Sequence, residues 1–463
     1  MTREGRPVSA FGPALFVVGV VPRLIAALAL AGEPVWDGHY YDYGARRIAE
    51  GRGYSDDLTL AGSVVWHPWC HYPVGYSAFL AVFYKVLGWG VHVAPAVNAI
   101  TGAALAVVTW ALARRALTER RARIAGCIVA LHPGMILYSA LVMTEPLAAL
   151  LTLGAFWLAV RDANPRRGLA LGALTLGVGA LVRPQALLCA PFLALVLEKD
   201  SVRDRLLAAG AACAIALLPV LPWTARNCRV MDGCALVSTN GGWNLAIGAF
   251  PRATGRFETL RASDGCRDVT GQVQQDRCWL AYGIEEIRAH PAHWLGLVPA
   301  KLGFTFDHES FAVEYLREAR PTDWPEERRV AVRAITTATE RLLVCAAALG
   351  AIALVGPSRR RVEGVVQGVL LIVFLGLVVV ACSQPPAFWP LVLFASAVPW
   401  LPLPGRAGFP PALALGVALL ASTALTHAVF FGEDRYHVVV VPVMAILAAA
   451  ALRRPARAAT VSP

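Results

Sequence analysis

The chain has 463 residues, is 57% hydrophobic with a mean hydropathy of +0.55, and is charged at only 16% of its positions, against roughly 25% in an average soluble domain. That excludes a soluble enzyme with one anchor and predicts an all-α, polytopic membrane protein. The net charge of +11 reads as positive-inside bias, with some cationic side chains free for a phosphate-bearing lipid, rather than as a nucleic-acid signature.

From the N-terminus, Met1 to Arg6 is short and basic, and the apolar run behind it lacks a small-x-small cleavage site, so the first span is expected to stay. A crossing helix needs about 20 apolar residues, fewer inside a bundle, which predicts about twelve spans. They fall near 11–31, 93–113, 124–141, 145–160, 168–182, 185–198, 206–223, 338–356, 364–382, 387–402, 410–431 and 437–452. Arg114-Arg115 with Arg120-Arg121-Arg123, Arg166-Arg167, Arg203 with Arg205, Arg359-Arg360-Arg361, Arg406 and Arg453-Arg454 follow alternate spans. All land on the side of the N-terminus, so both termini are expected in the cytoplasm, across an inner (plasma) membrane.

The predicted organisation is a first span (1–31), an external loop (32–92), a transmembrane bundle (93–223), a second external region (224–337) and a C-terminal bundle (338–463). Within the first loop, Tyr76 to Leu87 is apolar but short and reads as an interfacial helix. Within the second, Asp276 to Ala289 reads as a helix closed by His290-Pro291, because a residue before proline is pushed out of the helical region. Cys228, Cys234, Cys266 and Cys278 fall in this polar region, where Cys228–Cys234 with Cys266–Cys278 is one of three possible pairings. Disulfides there imply an oxidising compartment.

The loop residues carry the chemistry. Asp37 and Asp42, in Trp36-Asp37-Gly38-His39-Tyr40-Tyr41-Asp42-Tyr43, stand at the bilayer edge, where carboxylates are costly. Asp37 is suited to take a proton from an acceptor hydroxyl or to hold a divalent cation, Mg²⁺ or Mn²⁺; the bland alternative is a cap on a helix starting near Tyr40. Glu145, in Thr144-Glu145-Pro146, is expected at the same face, though it also makes a good helix start. Two acids converging on one cleft form a catalytic or metal arrangement. His67 and His71 are four apart, but intervening prolines argue against a helical zinc face, so His71 reads as a proton carrier or phosphate partner. Arg183, Arg226 and Arg435 fall near external span ends, and three arginines on one face favour a phosphate site over headgroup snorkelling. The turn-rich Ser238-Thr239-Asn240-Gly241-Gly242-Trp243-Asn244 is short and small enough to approach a ligand.

In this order the motifs resemble the GT-C superfamily of glycosyltransferases, in the branch of the protein O-mannosyltransferases and lipid A aminoarabinose transferases. The resemblance rests on Asp37 to Tyr54 with its Gly51-Arg52-Gly53-Tyr54, on His71-Tyr72-Pro73-Val74-Gly75-Tyr76, and on Thr144-Glu145. Leu181-Val182-Arg183-Pro184, Pro222-Trp223-Thr224-Ala225-Arg226-Asn227, Asn240-Gly241-Gly242 and Arg435-Tyr436-His437 follow in sequence. It implies a polyprenyl-phosphate-linked sugar donor, transfer on the external face to a protein, lipid or glycan acceptor, and Asp37 as general base. The arginines would hold the donor phosphate, Glu145 would orient acceptor or metal, and Tyr41, Asp42, His71, Tyr76, Tyr436 and His437 would join the substrate site. This chain departs from the family at Pro73-Val74, where Pro-Pro is common, and at Gly38, where aminoarabinose-type members carry Glu. A transporter would place ionisable groups at mid-bilayer and show internal repeats, neither of which is found. A lipid-linked glycan polymerase or ligase would keep its catalytic loop late in the chain.

Overall fold

Helix α1 (Phe11–Ala29) shows how the bundle is built. Leu15, Gly19, Arg23, Ala26 and Ala27 recur every three or four residues and are buried, while Val17, Val21, Ile25 and Leu28 stand exposed on the opposite face. That apolar exterior suits lipid, not water. The computed structural model describes residues 10–60, 62–197, 201–355, 361–401 and 409–452. Met1 to Arg6 and the expected basic positions Arg359, Arg360, Arg406, Arg453 and Arg454 lie outside the described residues.

The first loop folds into α2 (Asp37–Ala49), an antiparallel hairpin of β1 (Ser55–Leu60) and β2 (Ser63–Pro68), and α3 (Val74–Leu87), the expected interfacial helix. The hairpin is an addition to the all-α expectation, in register from Ser55 opposite Pro68 to Leu60 opposite Ser63. α4 (Val93–Ala113) packs on α1. α5 (Glu119–Leu131) is broken from the short α6 (Pro133–Leu137) by Pro133, which holds His132 extended. The break leaves carbonyls without helical donors, and buried Arg23 of α1 reaches those of Val129 (2.7 Å) and Ala130 (2.5 Å).

α7 (Glu145–Arg161) and α8 (Pro165–Val182) form an antiparallel pair. The expected span 185–198 is instead two 3-10 segments, Pro184–Cys189 and Pro191–Val196, because each proline removes a helical donor. α9 (Val202–Leu217) and α10 (Leu221–Val230) are bent by 52°. The second external region holds α11 (Gly241–Ile247), α12 (Gln272–Ala289), α13 (Pro291–Gly296), α14 (Val298–Phe306) and α15 (Phe311–Ala319). α12 ends at His290, as the proline behind it dictates. Cys228 is bonded to Cys234 and Cys266 to Cys278.

α16 (Glu326–Leu354) begins twelve residues before the expected 338. Glu326 and Glu327 in its first turn and Arg329 and Arg333 clasping Glu314 of α15 extend it outward. α17 (Arg361–Ala381), α18 (Trp389–Ala397), α19 (Pro411–Val429) and α20 (Val441–Ala451) complete the bundle. Among the described residues five helices are long and apolar enough to cross a membrane, and seven if the two bent pairs each count as one. The chain is thus a multi-pass membrane protein. The other expected spans are shorter or less apolar: α20, with 11 residues, is enclosed by the bundle and packs along α16.

Candidate active site

Asp37 is the first residue of α2, not a cap on a later helix, and no side chain caps that helix. Trp36 before it has φ of +50°, a conformation that costs a non-glycine residue of order 1–3 kcal/mol. Its ring packs on Phe311 and Tyr315, at 5.5 and 5.8 Å between centroids, and this holds the turn that aims Asp37 inward. The Tyr72 hydroxyl donates to Asp37 Oδ1 at 2.7 Å, and Arg435 Nη1 donates to Oδ2 at 2.5 Å. Burial works to raise the Asp37 carboxyl, but Arg435, Tyr72 and His71 outweigh it and hold it below the ordinary carboxylate value. Arg435 is also paired with Glu433 and lies over the rings of Phe311 and Tyr436. Burial, offset in part by Arg435, pushes the Glu433 carboxyl up to about 7.

Gly38 explains one departure from the family pattern. A Cβ there would fall 2.1 Å from the Tyr315 hydroxyl and 2.9 Å from the Val142 carbonyl, so no acidic side chain fits beside Asp37. Gly75 is likewise required: a Cβ would meet the backbone of Leu181 at 2.5 Å, where the start of α3 presses on the end of α8. This contact brings the His71–Tyr76 segment against Arg183.

Glu145 opens α7, and its side chain is fully buried. Arg183 Nη1 donates to Oε1 at 3.2 Å, while Oε2 has no hydrogen-bond partner. The Arg183 guanidinium lies 5.2 Å from the Tyr436 ring, which also stacks on His427 at 4.1 Å.

Asp37, Tyr41, His71, Glu145, Arg183, Arg435 and Tyr436 all line one cavity of about 390 Å³. Burial holds the His71 imidazole below its ordinary value against the pull of Asp37. Ser238, Asn240, Gly241, Trp243 and Asn244 form a further wall, so the turn-rich loop does reach the site. Asp276 positions it by accepting from the Trp243 amide at 3.0 Å. A second cavity, of about 510 Å³, meets the first at Asp37 and Arg435 and is lined by Trp36, Tyr40, Phe311, Glu314 and Glu433 among others.

Four expected site residues are placed elsewhere. Asp42 is buried on the far face of α2, accepting from Tyr84 (2.5 Å) and ion-paired with Arg46 (2.7 Å). Five residues along a helix turn the side chain off the cavity face. The Tyr76 hydroxyl is buried against the Asn98 amide at 2.9 Å. Arg226 ties α10 to the first loop through the carbonyls of Trp69 (3.0 Å) and Tyr54 (2.7 Å). His437 is fully buried behind Tyr436, at 2.6 Å from the Thr305 carbonyl. Conversely, the sequence does not mark Tyr72, Gln185 or the Trp36 turn as site residues, the aromatic density of the loop being the available signal, while Glu433 is the neighbour with which Arg435 could be expected to pair.

Asp37 and Glu145, the pair expected to hold any divalent ion, already have hydrogen-bond partners within the protein. Three of their four oxygens accept from Tyr72, Arg435 and Arg183, and Glu145 Oε2 has no hydrogen-bond partner. Among the described residues, the group of potential metal ligands that converges is Glu309, Glu340 and His437, outside the cavity lining.

The chain is similar in architecture to solved structures at low identity. The Archaeoglobus fulgidus oligosaccharyltransferase tethered with an acceptor peptide containing the NVT sequon aligns at 14% identity and a TM-score of 0.47, over 96% of this chain and 49% of that one. The A. fulgidus enzyme AglB in complex with an inhibitory peptide and a dolichol-phosphate aligns at 12% identity and 0.44, over 96% and 50%. ArnT from Cupriavidus metallidurans bound to undecaprenyl phosphate aligns at 16% and 0.38, over 96% and 76%. The chain spans about half the length of the archaeal proteins it matches. No curated protein is matched by its sequence. Residues 71–223 match the family model described as dolichyl-phosphate-mannose-protein mannosyltransferase, a segment that carries His71, Tyr72, Glu145 and Arg183 of the cavity.

Proposed function

We propose that this protein is a membrane glycosyltransferase that moves a sugar from a polyprenyl-phosphate-linked donor to an acceptor hydroxyl. The reaction runs at the external face of the inner membrane, inverts the anomeric centre and uses Asp37 as general base. The observation that carries the reading is the convergence of Asp37, Glu145, Arg183 and Arg435 on one cavity that opens into a second at Asp37 and Arg435. The description of the matched family model, a dolichyl-phosphate-mannose-protein mannosyltransferase, supports a lipid-linked hexose as donor and a protein as acceptor.

The donor phosphate is already a good leaving group, so catalysis needs a base for the acceptor and cations for the departing charge. Arg183 and Arg435 supply the cations, with Tyr436 between them as an aromatic floor. Asp37 takes the acceptor proton as the acceptor oxygen bonds to the anomeric carbon and the carbon–oxygen bond to phosphate breaks. Arg435 couples the steps: it now pairs with Asp37 and depresses its basicity, and turning toward the donor phosphate releases the carboxylate to act. Glu145 Oε2, buried and without a donor, is placed to orient a sugar or acceptor hydroxyl.

The test is transfer from a panel of polyprenyl-phosphate sugars by protein in lipid nanodiscs, wild type beside Asp37→Asn. Lost turnover with retained donor binding is expected. Uptake of solute without sugar transfer would instead make it a transporter, and a product of retained configuration would rule out the single displacement.

A further inference from the structure

Behind Tyr436 lies a cluster that the transfer reaction does not use. His132 sits at the break between α5 and α6, Glu309 just before α15, Glu340 within α16, and His437 two residues beyond Arg435. All four are at most 5% exposed. His437 Nε2 is 2.6 Å from Glu309 Oε1 and 3.9 Å from Glu340 Oε1, and His132 Nε2 is 3.2 Å from Glu340 Oε2. Yet neither Glu340 oxygen and neither Nε2 atom makes a hydrogen bond. Among the described residues, no arginine or lysine pairs with Glu309 or Glu340.

The tautomers are set by the backbone. The Thr305 carbonyl can only accept, so His437 Nδ1 carries a hydrogen and its Nε2 faces two carboxylates. A lone pair aimed at two carboxylates requires a positive charge between them. With both carboxylates ionised, one proton on Nε2 leaves the group a net negative charge, which either a second proton on a carboxylate or a divalent ion would cancel. His132 Nδ1 accepts from the Met135 amide at 3.4 Å, so a neutral ring carries its hydrogen on Nε2, which lies 3.2 Å from Glu340 Oε2, close enough to become an outer partner of that ligand.

We propose that Glu309, Glu340 and His437 bind a divalent transition-metal ion, with Zn²⁺ the best match to one imidazole and two carboxylates. An all-oxygen set would be expected for Mg²⁺ or Ca²⁺. One ligand atom from each of the three residues already lies within 4.8 Å of the others. The ion joins α16 to the segment before α15 and to the turn that carries Arg435. Asp434, accepting from the Ser310 and Phe311 amides, fastens the same turn. The metal therefore acts as a positioning element for Arg435 and not as a group that touches substrate.

The experiment measures metal content of nanodisc-embedded protein by mass spectrometry after Zn²⁺ loading and desalting. Wild type should hold about one Zn²⁺ per chain, Glu340→Gln should lose it, and the Asp37→Asn, Glu145→Gln double variant should keep it. Chelation should lower the wild-type melting temperature, and Zn²⁺ should restore it, with Glu340→Gln unresponsive. If Glu340→Gln does not fold, His437→Cys loaded with Co²⁺ should gain a thiolate-to-cobalt charge-transfer band that loaded wild type lacks. Wild type that binds none of Zn²⁺, Mn²⁺ or Fe²⁺, metal lost only in the cavity double variant, or no new band in His437→Cys would overturn the proposal.

Discussion

Two acid–arginine pairs line the cavity, and they are built in opposite ways. The Asp37 side chain is 23% exposed and both its oxygens are occupied, by Tyr72 and Arg435. Glu145 is fully buried, held on one side by Arg183 and open on the other. In the proposed reaction the first pair would exchange partners when a donor phosphate arrives, with Tyr72 still donating to Asp37. The second cannot, since a buried carboxylate that loses its cation is left uncompensated. The comparison teaches that a mobile pair suits the proton-transfer step and a fixed pair suits orientation.

The sharpest way to break this contrast is to remove each acid. Asp37→Asn should lower transfer by about 10²–10⁴-fold with donor affinity kept, whereas Glu145→Gln should act chiefly on KM. Equal losses in kcat for both would erase the distinction. Next in size, Arg183→Ala should destabilise the fold by about 3–5 kcal/mol, read as a fall in melting temperature. Arg435→Ala would strand Glu433 as well as Asp37, so the Asp37 pair is read in an Arg435→Ala, Glu433→Gln double variant, which should cost less than Arg183→Ala because Asp37 keeps Tyr72. The reverse order would mean that Glu145 is the adaptable member.

A pH profile sharpens the comparison further. Arg435 holds Asp37 below its ordinary 3.8, so the acid limb of kcat/KM should lie below that value and move up in Arg435→Gln. The depressed carboxyl also contributes stability that is complete above the unfolded value of 3.8 and is lost as pH falls through the lower folded value. Acid unfolding of Arg435→Gln should therefore begin at higher pH than that of wild type. The smallest effect is expected from Asp42→Asn. It removes the charge that pairs with Arg46 while a side-chain oxygen remains to accept from Tyr84, lowering stability by about 1 kcal/mol or less and leaving transfer unchanged.

How much of the site could be read in advance follows from what a linear rule can see. Asp37, Glu145, Arg183 and Arg435 stand out because charge at the edge of an apolar span needs a reason. Asp42, Tyr76, Arg226 and His437 satisfy the same rule and lie off the cavity lining. The rule gives depth along the membrane normal but not the direction in which a side chain points. Tyr72 is not marked by the rule because it matters only through Asp37, and Glu433 is legible only as a neighbour able to pair with Arg435.

Local chemistry settled what local chemistry controls. Pro184 marked a break and His290-Pro291 ended α12, whereas run length carried the expected spans 124–141 and 185–198 through Pro133 and Pro191, where the structure breaks them. The two disulfides, left as one pairing in three, needed the fold to choose. So did the contact that matters most: Asp37 and Arg435 are 398 residues apart, and Tyr72 stands 35 residues from Asp37. Propensity and hydropathy act over a turn or a span. Only the packing of α2, the start of α3 and the turn before α20 brings those three side chains within hydrogen-bonding distance.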